Sequence, residues 1–365
     1  MSDRTSSAAR VSEAGVKAQP RPRLAVQPTA LSEPARTGLW QTICHGAALL
    51  TFSSETIAVA AFRRCHGDVH YDREFVQQGR QPADPQSVRR RGRPSVGTLW
   101  LRNTAVTDAD LKHLKPLGGL HSLDLCQTAI TDAGLAHLTG LEKLATLLLD
   151  RTAITSDGLS QVAGRRNLCE LSLGGTAIDD RGLSHLVGLR HLQALNVSQT
   201  CVTDKGIEYL ANLTSLQRLD LSETFVTGAA GKPLGRLTEL RQLSLDDTHF
   251  EGAAVERLSK LVHLRELSLK NTRVADADLV HLARHKAMEW LDLSGTDVTD
   301  GGLDALSRLT TLKSLALRHT AIGDRGLDCL TALRQLRHLY ITGTGVTPEG
   351  AAKLSAELPR AIIRR

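Results

Sequence analysis

Residues 123–141 read LDLCQTAITDAGLAHLTGL, residues 147–165 read LLLDRTAITSDGLSQVAGR, and residues 315–333 read LALRHTAIGDRGLDCLTAL. The same phrase returns every 24 residues. With the first apolar residue of each unit as position 1, the origins are Val96, Leu120, Leu144, Leu168, Leu192, Leu216, Leu240, Leu264, Met288, Leu312 and Leu336. These eleven units carry no insertion or deletion. Position 9 is threonine in all of them: Thr104, Thr128, Thr152, Thr176, Thr200, Thr224, Thr248, Thr272, Thr296, Thr320 and Thr344.

The unit is L-x-x-L-x-L-x-x-T-x-(I/V)-T-D-x-G-L-x-x-L-x-x-L-x-x, and it holds two periodicities. L-x-L alternates with period two, as a strand with one buried face does. G-L-x-x-L-x-x-L spaces leucine by three, which predicts one or two turns of helix, and the preceding Thr-Asp supplies the oxygens that helix N-caps use. One coil of this kind cannot bury its apolar face alone, so neighbours must stack. The pattern over residues 96–359 resembles the leucine-rich repeat family. The resemblance implies an α/β solenoid, a horseshoe or arc with parallel strands on the concave face and short helices on the convex face. Strands stack about 4.8 Å apart and helices need roughly twice that, which is why such an array curves. Eleven strands would give a binding platform on the order of 50 Å long. The threonine column is read as structural, each hydroxyl expected to satisfy backbone of the adjacent coil. No histidine or acid recurs beside it, so a row of nucleophiles is not expected.

Composition agrees with many small layers: aromatic residues are 3% of 365. The net charge of +6 lies in the leader, since residues 1–95 hold fourteen Lys/Arg and eight Asp/Glu, whereas residues 96–365 hold 31 of each. The basic balance therefore describes the leader and not the repeats. The six cysteines show no paired spacing, which fits a reducing compartment.

Positions 3, 5, 7 and 8 of each unit should face outward from the strands, with position 10 at the rim. Units six and seven depart from the consensus there and elsewhere: TFVTGAAGKPLGRL loses Asp-x-Gly-Leu and places Pro233 in the helical stretch, and THFEGAAVERL has Gly252 in the aspartate place. The candidate ligand patch is Asp220, Glu223, Phe225, Asp246, Asp247, His249, Lys270 and Arg273, suited to a basic protein segment. The competing reading is an ordinary solvated face with one degenerate coil.

The organisation expected is a disordered leader at 1–38, a helix–strand cap at 39–80, a basic linker at 81–95, the repeats at 96–359 and a tail at 360–365. The stretch ETIAVAAFRRCHGDVHYDREF (55–75) resembles the segment ahead of the repeats in many bacterial leucine-rich repeat proteins, through Ala58, Val59, Ala60, Ala61, Gly67, Val69, Tyr71 and Asp72. VTPEGAAKLSAELPRAII (346–363) resembles their closing coil. In that group a transmembrane helix often precedes the cap, but TICHGAALLTF (42–52) is too short and polar to span. Cys44-His45 and Cys65-His66 lack zinc-site spacing, so no metal or cofactor is expected. RRRGRP (89–94) contains the core of an AT-hook and offers a weaker, DNA-associated reading. The ITDxGLxxL phrase also resembles repeats of F-box substrate receptors, although no F-box precedes it.

No phosphate loop, nucleophile elbow or paired-carboxylate cleft occurs. The expectation is a non-enzymatic cytoplasmic scaffold, monomeric, that binds a protein on its concave face. The alternative is a secreted bacterial effector whose repeats grip a host protein, for instance as a ubiquitin-ligase-type substrate receptor, or a tethered protein facing the cytosol.

Overall fold

The computed structural model describes residues 54–71 and 96–365. The leader, Cys44-His45, residues 81–95 and RRRGRP lie outside the described residues. Among the described residues thirteen strands form one sheet in chain order: β1 (Asp68–Tyr71), β2 (Val96–Trp100), β3 (Ser122–Asp124), β4 (Thr146–Leu148), β5 (Glu170–Ser172), β6 (Ala194–Asn196), β7 (Arg218–Asp220), β8 (Gln242–Ser244), β9 (Glu266–Ser268), β10 (Trp290–Asp292), β11 (Ser314–Ala316), β12 (His338–Tyr340) and β13 (Ile362–Arg364). β1 runs antiparallel to β2, and β2 through β13 are parallel. The 24-residue period sets the register, so Leu123 pairs with Leu147 and Leu291 with Leu315. Leucines at positions 4 and 6 point into the core from the strands. In the fifth unit Ile207, Leu210 and Leu213 meet them from the helical side, all fully buried. The outcome is an α/β solenoid.

The chain leaves each strand through the same turn. Position 8 has positive φ in all eleven units, and only Gly175, Gly295 and Gly343 are glycines there. The other eight, among them Arg151, Glu223, Asp247 and Asn271, pay roughly 1 kcal/mol each for a left-handed backbone. The threonine at position 9 holds that turn. Its hydroxyl donates to the position 6 carbonyl of its own coil, at 2.6 Å for Thr128 to Leu125 and 2.5 Å for Thr176 to Leu173. The sequence led us to expect a bond to the neighbouring coil. A left-handed residue at position 8 folds the chain back far enough to bring the local carbonyl within reach.

Adjacent coils are instead tied by the aspartate at position 13. Asp180 Oδ1 accepts from Thr203 N at 2.8 Å and Gly206 N at 3.0 Å, and Oδ2 accepts from Thr203 Oγ1 at 2.7 Å. The two threonine bonds of this rung recur between Asp108 and Thr131, Asp132 and Thr155, Asp204 and Thr227, Asp276 and Thr299, and Asp324 and Thr347. This explains the glycine at position 15. A Cβ on Gly134 would lie 2.4 Å from Asp108 Oδ1, and one on Gly206 would lie 2.6 Å from Asp180 Oδ1.

Asp300 reaches only the Gly323 N–H, at 2.6 Å, because unit ten has no threonine there, and the remaining places use other chemistry. Between units three and four the partners are exchanged, with Ser156 Oγ donating to Asp179 Oδ1 at 2.5 Å. Unit eight lacks a preceding acid because unit seven carries Gly252. There Asp278 supplies the carboxylate from its own coil and accepts from Ala275 N at 2.9 Å, in space that a side chain at Gly252 would occupy. Unit one does likewise with Asp110 and Thr107. Between units six and seven, Gly228 faces Glu251 and neither form of the rung is present.

The described residues of the N-terminal cap are a helix, Ser54–Arg64, and strand β1. Phe62 is fully buried at its core, and Ala58 and Val59 are buried beside it. At the other end the helix Pro348–Glu357 starts from Thr347, whose hydroxyl accepts from Gly350 N, and β13 covers β12.

One leucine position is taken by His285, which is 1% exposed. Its Nδ1 meets the Leu261 carbonyl at 3.1 Å, and Nε2 has no partner among the described residues. Burial holds this imidazole below its ordinary value of 6.5, so it is neutral in the folded chain. The unfolded chain binds the proton more readily. Stability from this site is therefore complete above pH 6.5 and falls as the pH drops below it toward the folded value. His285→Leu is expected to raise stability by about 1–2 kcal/mol at neutral pH and to flatten that acid limb in urea melts. The Leu261 carbonyl keeps its bond from Leu264 N in the variant. A variant that melts with an unchanged pH dependence would refute the assignment.

Candidate functional site

Outward residues at positions 3, 5 and 7 line an open groove of about 480 Å³ on the strand face, reaching from Leu148 and Asp150 to Ser268 and Trp290. In-register stacking makes each position a column, so side chains 24 residues apart sit side by side. The floor is small and polar, and carboxylates rise from it.

Two carboxylates of the strand face, Asp150 in the groove and Asp124 beyond its lining, are fully engaged. Asp150 Oδ1 accepts from Ser172 Oγ at 2.5 Å, Gly174 N at 2.7 Å and Asn196 Nδ2 at 3.3 Å, while Oδ2 accepts from Cys126 Sγ at 3.2 Å. Asp124 accepts from Cys126 N and pairs with Arg102 at 3.2 Å. Burial, then the bonds to Asp124 and Asp150, push the Cys126 thiol far above its usual range, which keeps it protonated.

Three others are half-engaged. Asp220 Oδ1 accepts from Ser222 N and Oγ, Asp246 Oδ1 from Lys270 N at 3.0 Å, and Asp292 Oδ1 from Ser294 N at 2.8 Å. The second oxygen of each has no hydrogen-bond or ion-pair partner of ordinary geometry among the described residues. Asp246 is half-buried. Desolvation raises its carboxyl above the ordinary value and the charge of Asp292 adds to this, against the Ser268 hydroxyl and the Lys270 N–H. Ser268, 3% exposed, lies close to Asp246, yet its Oγ completes no hydrogen bond. On the wall, Arg218 is held by Glu170 at 3.0 Å and Glu266 stays exposed. Beyond β10 the face changes sign: the Arg318 guanidinium stacks 4.2 Å over the Tyr340 ring, and Arg364 lies 5.5 Å from it.

The structure divides the eight residues proposed from sequence. Asp220 and Asp246 line the groove. Glu223 and Asp247 occupy the left-handed position 8, where Glu223 Oε1 accepts from Gln199 Nε2 at 2.8 Å and Asp247 Oδ1 from Asn271 Nδ2 at 2.7 Å. Lys270 reaches Asp247 at 3.6 Å. Phe225, His249 and Arg273 are exposed at position 10, each bridged to position 12 of the preceding coil. Asp150, Ser268, Asp292 and Trp290 were not singled out from sequence. The signal available for them was their place in the outward columns.

Among the described residues no group of three or more His, Cys, Asp or Glu side chains is placed to hold a metal ion. No described helix is long and apolar enough to cross a membrane.

The sequence profile of the leucine-rich repeat region matches residues 102–357. The chain belongs to the leucine-rich repeat family. No curated protein matches it in sequence. Among solved leucine-rich repeat structures, an internalin of Listeria monocytogenes is similar with a TM-score of 0.53 at 21% identity, over 76% of this chain and 92% of that one. A TDR receptor is similar with a TM-score of 0.54 at 19% identity, over 73% of this chain and 46% of the receptor. At these identities the likeness is one of fold.

Proposed function

We infer that this leucine-rich repeat protein is a binding scaffold, with no catalytic step of its own, that captures an extended protein segment bearing lysine or arginine on its strand face. The observation that carries this reading is the set of half-engaged carboxylates, Asp220, Asp246 and Asp292. A carboxylate that keeps one oxygen free while partly desolvated gains free energy when a cation arrives. A cationic side chain in the groove would meet Asp220 and Asp246, and an extended segment continuing past Trp290 would reach Asp292 beyond the groove's lining. Trp290 offers a ring face at one end, suited to an arginine or lysine stem. Around the floor, exposed Phe225 and the position 8 and 10 side chains Glu223, Asp247, His249 and Arg273, with Lys270, form a rim that a partner would touch. Phe225, 59% exposed, is the rim's apolar contact.

Selection from a random peptide library on the full chain tests this. Lys/Arg-enriched sequences are expected, with affinity falling steeply as salt rises. The triple change Asp220→Asn, Asp246→Asn, Asp292→Asn should weaken the selected peptides at least tenfold while the melting temperature holds or rises. Enrichment of uncharged sequences, or equal binding by the triple variant, would remove the groove from the function.

A further inference from the structure

Past the groove, the position 2 column, which holds Arg241 and Arg265 in units seven and eight and Glu289 in unit nine, is cationic again in the last two coils. Lys313 and Arg337 occupy it in units ten and eleven, and Arg337 N donates to the Lys313 carbonyl at 2.8 Å, so their side chains leave from adjacent backbone. They line a cavity of about 250 Å³ with Arg334, Gln335 and Arg360, and no carboxylate lines it. Lys313 is held on one side by Glu289 Oε2 at 2.5 Å, and Arg334 Nη1 donates to the Glu357 carbonyl at 2.9 Å. The guanidinium groups of Arg337 and Arg360 have no partner among the described residues. Glu357 lies in an adjoining recess of about 170 Å³ with Arg334 and Arg360.

Like charges on neighbouring strands repel. Here four cations line one cavity, Glu289 is shared between Lys313 and Arg265, and Glu357 stands in the adjoining recess, which leaves at least two positive charges uncompensated. That excess matches a phosphomonoester, which carries about −1.5 to −2 near neutral pH, better than a carboxylate. Planar guanidinium forks also fit phosphoryl oxygens in pairs, where an ammonium acts as a point charge. We propose that Lys313, Arg334, Arg337 and Arg360 form a binding site for a phosphomonoester dianion. The site does not depend on the reading of the groove. The dianion has two sources, a phosphorylated side chain of a partner protein or free phosphate.

Thermal melts of the full chain are run in inorganic phosphate, in a neutral phosphoserine peptide, in its unphosphorylated form, and in acetate at matched ionic strength. Both phosphate probes are expected to raise the melting temperature and the other two to leave it unchanged, since a ligand of the folded state stabilises it by mass action. Arg337→Gln with Arg360→Gln should weaken phosphate at least tenfold. Both positions are exposed, and the unliganded melting temperature reports whether the fold persists. Tighter binding of the phosphopeptide than of inorganic phosphate assigns the site to a partner protein, and equal binding assigns it to free phosphate. Phosphate and acetate giving equal shifts, or a double variant that binds phosphate as the wild type does, would overturn the proposal.

Discussion

Replacing Phe250 with alanine is expected to destabilise the chain by about 3–5 kcal/mol, the cost of deleting a buried aromatic ring and leaving a cavity. Position 11 is valine or isoleucine in the other ten units, and here a fully buried phenylalanine fills it. The site also belongs to the coil whose joint to unit six lacks a rung, so less hydrogen bonding opposes its opening. A lower urea midpoint with an unchanged slope is the expected result. Phe250→Val, which copies Val226 and Val274, should cost about half as much. Equal midpoints for wild type and Phe250→Ala would mean that this coil does not limit unfolding.

Deleting a rung should come next in size. Asp180→Ala removes the acceptor of two N–H groups and one hydroxyl, and a loss of about 2–3 kcal/mol is expected because the donors are left partly buried. Asp180→Asn keeps a neutral acceptor and should lose roughly half of that. A control follows from unit six, where Asp204 holds Thr227 although position 15 is Ala230 rather than glycine. There the two threonine bonds form without one from Ala230 N, whereas Gly206 N donates to Asp180 and a Cβ on Gly206 would lie 2.6 Å from Oδ1, so Gly206→Ala should cost about 1–2 kcal/mol and a branched residue should not fit. If Asp180→Ala melts like the wild type, inter-coil hydrogen bonding is not what holds the units together.

The architecture could be read from the sequence because stacking is periodic. Each L-x-L strand repeats in phase with the next, and nothing else buries eleven identical leucine stripes. The chemistry between coils was hidden for a physical reason. Thr131 and Asp132 look like a local helix cap, and Thr131 does accept from Ala133 N, yet the bonds that matter join Thr131 to Asp108, 23 residues away. The groove was obscured in the same way. Asp150 and Asp220 are both outward-facing aspartates, but Asp150 is satisfied by Asn196, 46 residues on, and Asp220 keeps a free oxygen. The sequence drew attention to units six and seven because their consensus fails. Gly228 and Gly252 fail at the rung, away from the positions that line the groove.

The exchanged pair at Ser156 and Asp179 bears on how such a chain can be rearranged by duplication or loss of whole units. Most neighbours here are interchangeable, because an acid leaving one coil meets a threonine entering the next. Unit three leaves with a serine and unit four enters with an acid. A second copy of unit three in tandem would set Ser156 against Thr155, two hydroxyls with no carboxylate between them. Loss of unit three would set Asp132 against Asp179, two carboxylates in one half-buried place. These two coils can be copied or deleted only as a pair, so they mark a fixed point among neighbours that mostly share one acid–threonine join.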